Sequence, residues 1–435
     1  MSLDEKQTDP VQLETPRRPL PALLDYFATL GRFSRNARLF LSYALLSGLG
    51  TGIWNVMFNI YLLRLGYETT FVGLFWMVDM LFHGLFAFPA GLIGDKIGRR
   101  KTFVLATTFA IVARGALLFT RDPNMLLVLA ALAGMGEGFH AVAGAPFMME
   151  NSEPEERPHL FSLNSSLQML STFVGSLSGG LLPLFWAGIL TVPALDPAAA
   201  RWTLVMSLPL TFGALVPLAV IREKPVELVE SFRDLFTLQN VVHYEVIFKL
   251  TLCAVLVGVG FGMSTRFFNL FFNMAHRATD QQVGLFLAIG SLGSAAAVLL
   301  SPYVNRRWGM ARDTMLAQLA SVPFLLLMAL SADLPLVVFF FVARGAVYSI
   351  CLPLREQLSM AFVISRERST TAGLIHMAFD LGGSVGALIA GMLIVGGEFL
   401  SAFGVAAGLL IVPAVLYYVF FAETERAHLA AARAR

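Results

Sequence analysis

The chain is short of charge. Asp, Glu, Lys and Arg make up 14% of its 435 residues, against about 25% in a soluble globule. That excludes a water-soluble domain as the bulk of the chain. Cysteine is scarce too: Cys253 and Cys351 both lie inside apolar runs, and free thiols are expected rather than a disulfide framework. There is no glycine-rich loop of the kind that cradles phosphates, which removes ATP as a direct energy source. There is no His/Cys spacing for a metal, and no cofactor is expected. A formal net charge of +2 offers nothing to nucleic acid. No cleavable signal peptide is expected, because the first 36 residues are polar and the first apolar run is too long. Two local patterns are decoys. Gly382-Gly-Ser384-Val-Gly386 fits a nucleophile elbow, but it lies in an apolar run with no strand before it and no His/Asp partners. No catalytic residue is assigned, and the chain is not read as an enzyme. Asn164-Ser-Ser fits a glycosylation acceptor but falls in another apolar run.

What is present is hydrophobic: 57% of the chain, with a mean hydropathy of +0.71. Residues 1 to 19 have the charged, proline-rich composition of a disordered segment. Residues 21 to 34 set Leu23, Leu24, Phe27 and Leu30 on one helical face behind Pro21. A short interfacial helix and a helix packed on neighbouring loops both fit that pattern. Apolar runs follow near 38–64, 71–94, 102–120, 125–149, 159–187 and 202–221, then 245–274, 282–304, 313–331, 335–358, 370–396 and 398–421. Many reach the ~20 residues that cross about 30 Å of hydrocarbon, and none shows the ten-residue alternation of a barrel. The expected fold is an all-α polytopic membrane protein with twelve transmembrane helices in two pseudo-symmetric six-helix bundles, 38–221 and 245–421.

Lysine and arginine set the expected orientation. Of 31 cations, 23 fall on the side of the termini. Four (Arg64, Arg121, Arg201 and Arg277) fall on the other side, and four (Arg114, Lys249, Arg266 and Arg344) fall within spans. Both termini are therefore expected in the cytosol, as are the segment 1–37, the central loop 222–244 and the tail 422–435. The short loops point to a multi-pass protein of the plasma (inner) membrane.

The halves repeat. Phe58-Asn59 and Val72-Gly73-Leu74-Phe75 recur as Phe268-Asn269 and Val283-Gly284-Leu285-Phe286. Glu156-Arg157 and Gly180 recur as Glu367-Arg368 and Gly391, and the offset is 210 to 211 throughout. Helix 5 also holds Gly175, Gly179 and Pro183, and helix 11 holds Gly382 and Gly386. Small residues four apart allow close helix crossing; a rocking hinge is the alternative use.

Between the second and third runs lies Gly91-x-x-x-Asp95-Lys96-x-Gly98-Arg99-Arg100, a tight basic hairpin. This pattern resembles the loop between helices 2 and 3 of the major facilitator superfamily, a family of secondary transporters. The resemblance covers residues ~38 to 421 and implies two parallel six-helix repeats with a substrate site between them near the midplane. It also implies that Asp95 faces the start of helix 11, Arg368-Ser369-Thr370-Thr371. There a carboxylate meets a helix amino terminus and an arginine. The offset places Arg306 opposite Asp95, so the second copy carries a cation in place of the acid. Arg306 is expected to face Glu153, Glu155 and Glu156 at the start of helix 5. The cytosolic gate is accordingly assigned to Gly91, Asp95, Lys96, Gly98, Arg99, Arg100, Arg306 and Arg368; the alternative is that these charges set topology alone.

Ionisable groups inside a span are costly unless paired or wetted, so each is a functional candidate. They are Asp79 and His83 in helix 2, Arg114 in helix 3, Glu137 and His140 in helix 4, Arg266 in helix 7, Arg344 in helix 10, and His376 and Asp380 in helix 11. The resemblance implies that helices 1, 4, 7 and 10 line the cavity. That selects Asn55, Asn59, Glu137, His140, Arg266, Asn269 and Arg344 as cavity residues. Glu137 is the first candidate proton carrier, with Asp79 and Asp380 next; a static pair, such as Asp79 with Arg114, is the bland alternative. Helix 4 lacks the arginine motif of many exporters in the family. Phe139, Phe267, Phe268, Phe271 and Phe272 fall on cavity-forming helices, which suits lipophilic or amphipathic ligands. The function expected is secondary transport by alternating access, with a monomer in the bilayer moving a small molecule and protons as coupling ion. Export of a lipophilic or amphipathic molecule is the leading form. Proton-coupled uptake of a polar or anionic nutrient or a lysolipid, and a non-transporting receptor or scaffold, are the alternatives.

Overall fold

The computed structural model describes residues 33–153, 156–222, 243–304, 310–363 and 368–433. The interfacial segment before residue 33, nearly all of the central loop, and Arg306 lie outside them. Twelve helical stretches run through the described residues: α1 Arg35–Arg64, α2 Thr69–Ile97, α3 Arg99–Leu117, α4 Pro123–Glu150, α5 Arg157–Leu190, α6 Pro197–Val220, α7 Tyr244–Ala275, α8 Asp280–Val304, α9 Met310–Leu330, α10 Leu334–Ala361, α11 Arg368–Leu393 and α12 Phe399–Arg433. Ten of them are long and apolar enough to cross a membrane. Of the other two, α3 opens on Arg99, Arg100 and Lys101 and carries Arg114, and α4 is an apolar run that carries Glu137 and His140. Both pack as members of the first half, α3 on α4 and α6, and α4 on α2. The tail expected at 422–435 continues α12 as far as Arg433, because its Ala, Glu, Leu and Arg are strong helix formers that need no membrane.

Local chemistry marks several boundaries. Ser34 accepts from the Ala37 amide at 3.1 Å and starts α1. Asp122 accepts from the Met125 amide at 2.7 Å before Pro123 starts α4. Asp196 does the same for α6, from the Ala198 amide at 2.7 Å before Pro197. Each satisfies an amide that a helix start leaves open. The hairpin between α2 and α3 turns on Gly98, whose φ of 93° is open to glycine. Prolines interrupt α2, α5, α9, α10 and α12 at Pro89, Pro183, Pro323, Pro353 and Pro413, and each removes one ladder bond.

Packing divides the helices into two six-helix bundles. In the first, α1 packs on α5 and α6, and α2 on α4; in the second, α7 packs on α11 and α12, and α9 on α10 and α12. Two crossings join the bundles, α2 on α11 and α5 on α8. Both are glycine-on-glycine. A Cβ on Gly73 would stand 2.6 Å from the Ala387 carbonyl and 2.7 Å from Gly391 Cα. A Cβ on Gly284 would stand 2.6 Å from the Ser176 carbonyl and 2.7 Å from Gly180 Cα. Gly73 and Gly284 are repeat mates, as are Gly180 and Gly391, so the two crossings are exchanged by the internal symmetry.

The core reports how the bundles separate. At the end where α1 finishes at Arg64, one apolar cluster runs across both bundles, from Phe58 and Phe75 to Phe271 and Phe403. Toward the opposite end it splits in two. One cluster belongs to the first bundle, around Phe40, Phe103 and Phe147, and one to the second, around Tyr348, Tyr417 and Phe421. The halves are sealed to each other at the Arg64 end and keep separate cores at the other.

Candidate functional site

A cavity of about 480 Å³ lies between the bundles at mid-helix, within the range of small-molecule sites. Asn55, Asn59, Arg266, Asn269 and Arg344, all expected there from the sequence, line it. Trp54 and Trp76 of the first half and Phe268 and Phe341 of the second supply its aromatic surface.

Its closed end is a hydrogen-bonded knot. Asn59 and Asn269 are 2% and 3% exposed. Asn59 Nδ2 donates to Asn269 Oδ1 at 3.0 Å and to the Arg266 carbonyl at 2.7 Å. Asn269 Nδ2 donates to the carbonyls of Val56 at 3.0 Å and Asn55 at 3.1 Å. Trp76 Nε1 donates to Asn59 Oδ1 at 2.7 Å, and the Arg266 guanidinium lies 4.2 Å over the same Trp76 ring. The cavity's cation and the knot's donor thus share one indole. Around Arg266 the backbone leaves α geometry, tightening to a 3₁₀ turn at Thr265–Phe267 and widening to a π turn at Phe271–Ala275, a departure common at functional sites.

Above the knot, Arg64 Nη2 meets both oxygens of Asp280, at 2.7 and 2.9 Å. This bridge closes the two halves between α1 and α8. Charge counting assigned Arg64 to topology alone, and nothing in the repeat flags the pair.

The two cavity arginines have no carboxylate in ion-pair reach among the described residues. Arg344 is 5% exposed and lies 4.9 Å over Phe268 and 5.4 Å over Tyr348. The Nε atoms of Arg266 and Arg344 are buried without a hydrogen-bond partner. A guanidinium held over an aromatic face can still offer N–H donors to a ligand. Two such groups beside indole and phenyl walls can take a carboxylate by charge-assisted hydrogen bonds and its apolar body by stacking.

The carboxylates lie elsewhere. Glu137 and His140 do not line the central cavity; they line a second one of about 210 Å³ inside the first bundle. Gly134 and Gly138 press α4 against α2, and Gly136 presses it against α3. That rotation turns Glu137 inward, where it pairs with Arg114. Arg114, offered from the sequence as a partner for Asp79, takes Glu137 instead and stands 5.3 Å over Trp54. Asp79 is 7% exposed, and no hydrogen bond or ion pair reaches it among the described residues. Asp380 faces His83 across the halves, Oδ2 to Nε2 at 3.8 Å. The charge of Arg266 acts on both Asp79 and Asp380, without pairing with either.

Of the expected cytosolic gate, Gly98 is the turn glycine and Arg100 donates to the Ala219 carbonyl at 2.5 Å, tying α3 to α6. Gly91, Asp95, Lys96, Arg99 and Arg368 lie on described helix backbone, and their side chains, like Arg306, are outside the described set.

A family model described as "Major Facilitator Superfamily" matches residues 39–322 and 250–435. A Bacillus subtilis protein named as a candidate niacin/nicotinamide transporter is 29% identical over 111 residues, which are 25% of this chain and 28% of that relative's length. The crystal structure of a nucleoside transporter, NupG, superposes with a TM-score of 0.72 at 14% identity, covering 89% of this chain and 100% of that one. A bacterial homologue of the human lysosomal transporter Spinster gives a TM-score of 0.70 at 16% identity, covering 88% of this chain and 96% of that one. With two six-helix bundles around a midplane cavity and a family model spanning both halves, the chain belongs to the Major Facilitator Superfamily and is a membrane transporter.

Proposed function

We propose that the central cavity binds an organic anion with an aromatic or apolar body, and that the chain moves it across the membrane by alternating access with a proton as coupling ion. One observation carries this reading: Arg266 and Arg344 stand in the cavity with no carboxylate paired to either among the described residues. Unpaired cations at the midplane are expensive, and a substrate anion would compensate them. Nicotinate, a carboxylate on an aromatic ring, is a natural first probe given the relative's name. The proton is assigned to Glu137, whose protonation would release Arg114 from its ion pair. With the termini in the cytosol, the conformer sealed at the Arg64 end is closed to the outside.

The second reading is export of a lipophilic molecule, favoured by Trp54, Trp76, Phe261, Phe268 and Phe341 on the cavity wall. Proton release or uptake by purified protein on adding nicotinate or benzoate, with Glu137→Gln beside it, tests both. A proton signal with these anions that Glu137→Gln abolishes supports the first reading. Binding of neutral lipophilic compounds alone, independent of Arg266 and Arg344, supports the second.

A further inference from the structure

The cavity holding the Arg114–Glu137 pair is polar. Tyr43, Ser47, Thr51, Thr107 and Thr211 bring hydroxyls to it from α1, α3 and α6. His140 closes one side, with its ring 5.5 Å from Tyr43 and 5.7 Å from Phe103, and its Nε2 is buried with no protein partner. A polar space of about 210 Å³ with an unpartnered buried nitrogen has room and partners for several waters. Glu137 is faced there by Arg114 of α3, His140 of its own helix and Tyr43 of α1, and His83 and Asp79 of α2 and Arg266 of α7 are also coupled to it.

The chamber has one closed side and one shared side. Toward the end away from Arg64, the rings of Phe40, Tyr43, Phe103 and Phe147 pack together at 5.1 to 5.8 Å. Toward the midplane, Gln168 and Thr172 of α5 line both this chamber and the central cavity. Trp54, beneath Arg114, lines the central cavity at the same wall.

We infer that this is a water-filled side chamber of the substrate cavity, entered past Gln168 and Thr172, through which Glu137 exchanges its proton. The proton leaves Glu137 Oε1 or Oε2 to chamber water and passes as hydronium into the central cavity; uptake is the reverse. Substrate seated against Trp54 then stoppers the chamber, so proton exchange and substrate exchange use one doorway in turn. The role of the chamber rests on the proton reading given above, but access to it is measurable without substrate or transport.

The test uses full-length protein in detergent with Cys253→Ser and Cys351→Ser, a reporter at Thr107→Cys in the chamber or Ser294→Cys in the central cavity, and 2-aminoethyl methanethiosulfonate as a water-borne label read by intact mass. Labelling is expected at both reporters. Gln168→Trp is expected to slow the Thr107→Cys rate tenfold or more and leave the Ser294→Cys rate unchanged; Thr172→Leu makes the same test where the larger residue lowers the yield of folded protein. An unlabelled Thr107→Cys beside a labelled Ser294→Cys would show the chamber dry and overturn the inference. A Thr107→Cys rate indifferent to the wall substitutions would place the mouth elsewhere and overturn it too. Loss of the proton signal in Glu137→Gln tests the proton reading separately.

Discussion

Asn59 and Asn269, 210 residues apart and 3.0 Å from each other, are repeat mates that bond across the axis relating the two halves. Each also donates to the carbonyl three residues before its partner: Asn59 to Arg266 at 2.7 Å, and Asn269 to Val56 at 3.0 Å. The internal symmetry of the chain is closed by one pair of side chains. The closed end of the cavity is held where that axis passes.

Asn59→Ala should weaken that closure. It leaves the Arg266 carbonyl and Trp76 Nε1 without this partner, at about 1–3 kcal/mol for each buried group left unpaired, while Asn269 Oδ1 keeps the Leu270 amide at 2.9 Å. The conformer closed at the Arg64 end should lose roughly tenfold in population for each ~1.4 kcal/mol. Electron–electron resonance distances between spin labels on the α1–α2 and α7–α8 loops should lengthen; an unchanged distribution would mean the knot does not hold the gate.

The glycine crossings should behave as a symmetric pair. Gly73→Ala and Gly284→Ala each drive a methyl against backbone at 2.6 Å, which no rotamer change relieves, and overpacking of this kind costs about 1–3 kcal/mol. Both should slow substrate exchange to a similar degree and disfavour the conformer sealed at the Arg64 end. Gly188→Ala and Gly404→Ala, with nothing within 4 Å, serve as controls and should raise Tm slightly through helix propensity.

The fold was legible because its two strongest signals are one-dimensional. Apolar runs mark the helices, and a constant offset of 210 to 211 marks Gly73 with Gly284, Gly180 with Gly391 and Asn59 with Asn269. A repeat states which residues are equivalent, not which ones touch. That Gly73 meets Gly391 rather than its own mate needed the crossing geometry. Arg64 and Asp280 were invisible for a related reason: their mates are Met274 and Thr69, so no second copy drew attention to the pair. The resemblance puts Glu137 in the central cavity because it puts the whole of helix 4 there. The glycines on either side of it decide helix rotation, and they act through packing distances that no sequence pattern states.

The Arg64–Asp280 bridge should bias the same equilibrium as the asparagine knot. Its charge-assisted contact, from one guanidinium nitrogen to both carboxylate oxygens, is worth about 1.5–3 kcal/mol when formed. Asp280→Arg should open the Arg64 end, seen as longer distances between spin labels on the α1–α2 and α7–α8 loops. Adding Arg64→Asp should restore closure. A double variant as open as the single one would remove the bridge from the gate.

Arg266→Lys should fail to replace arginine. An ammonium over Trp76 keeps the charge and loses the flat stacking and the forked donors, so benzoate affinity should fall and the Trp76–Asn59 contact should loosen. Equal affinity for Lys and Arg variants would reduce Arg266 to a point charge.

The central claim is an anion site built on Arg266 and Arg344, and thermal stabilisation by benzoate against benzamide measures it most directly. The two ligands share a ring and differ in charge. Benzoate should raise Tm and benzamide should not, and Arg344→Ala should weaken the benzoate effect about 10- to 100-fold in concentration, the worth of one charge-assisted hydrogen bond. Equal stabilisation by both ligands, unchanged in Arg344→Ala, would contradict an anion site and leave a cavity that selects on apolar surface alone.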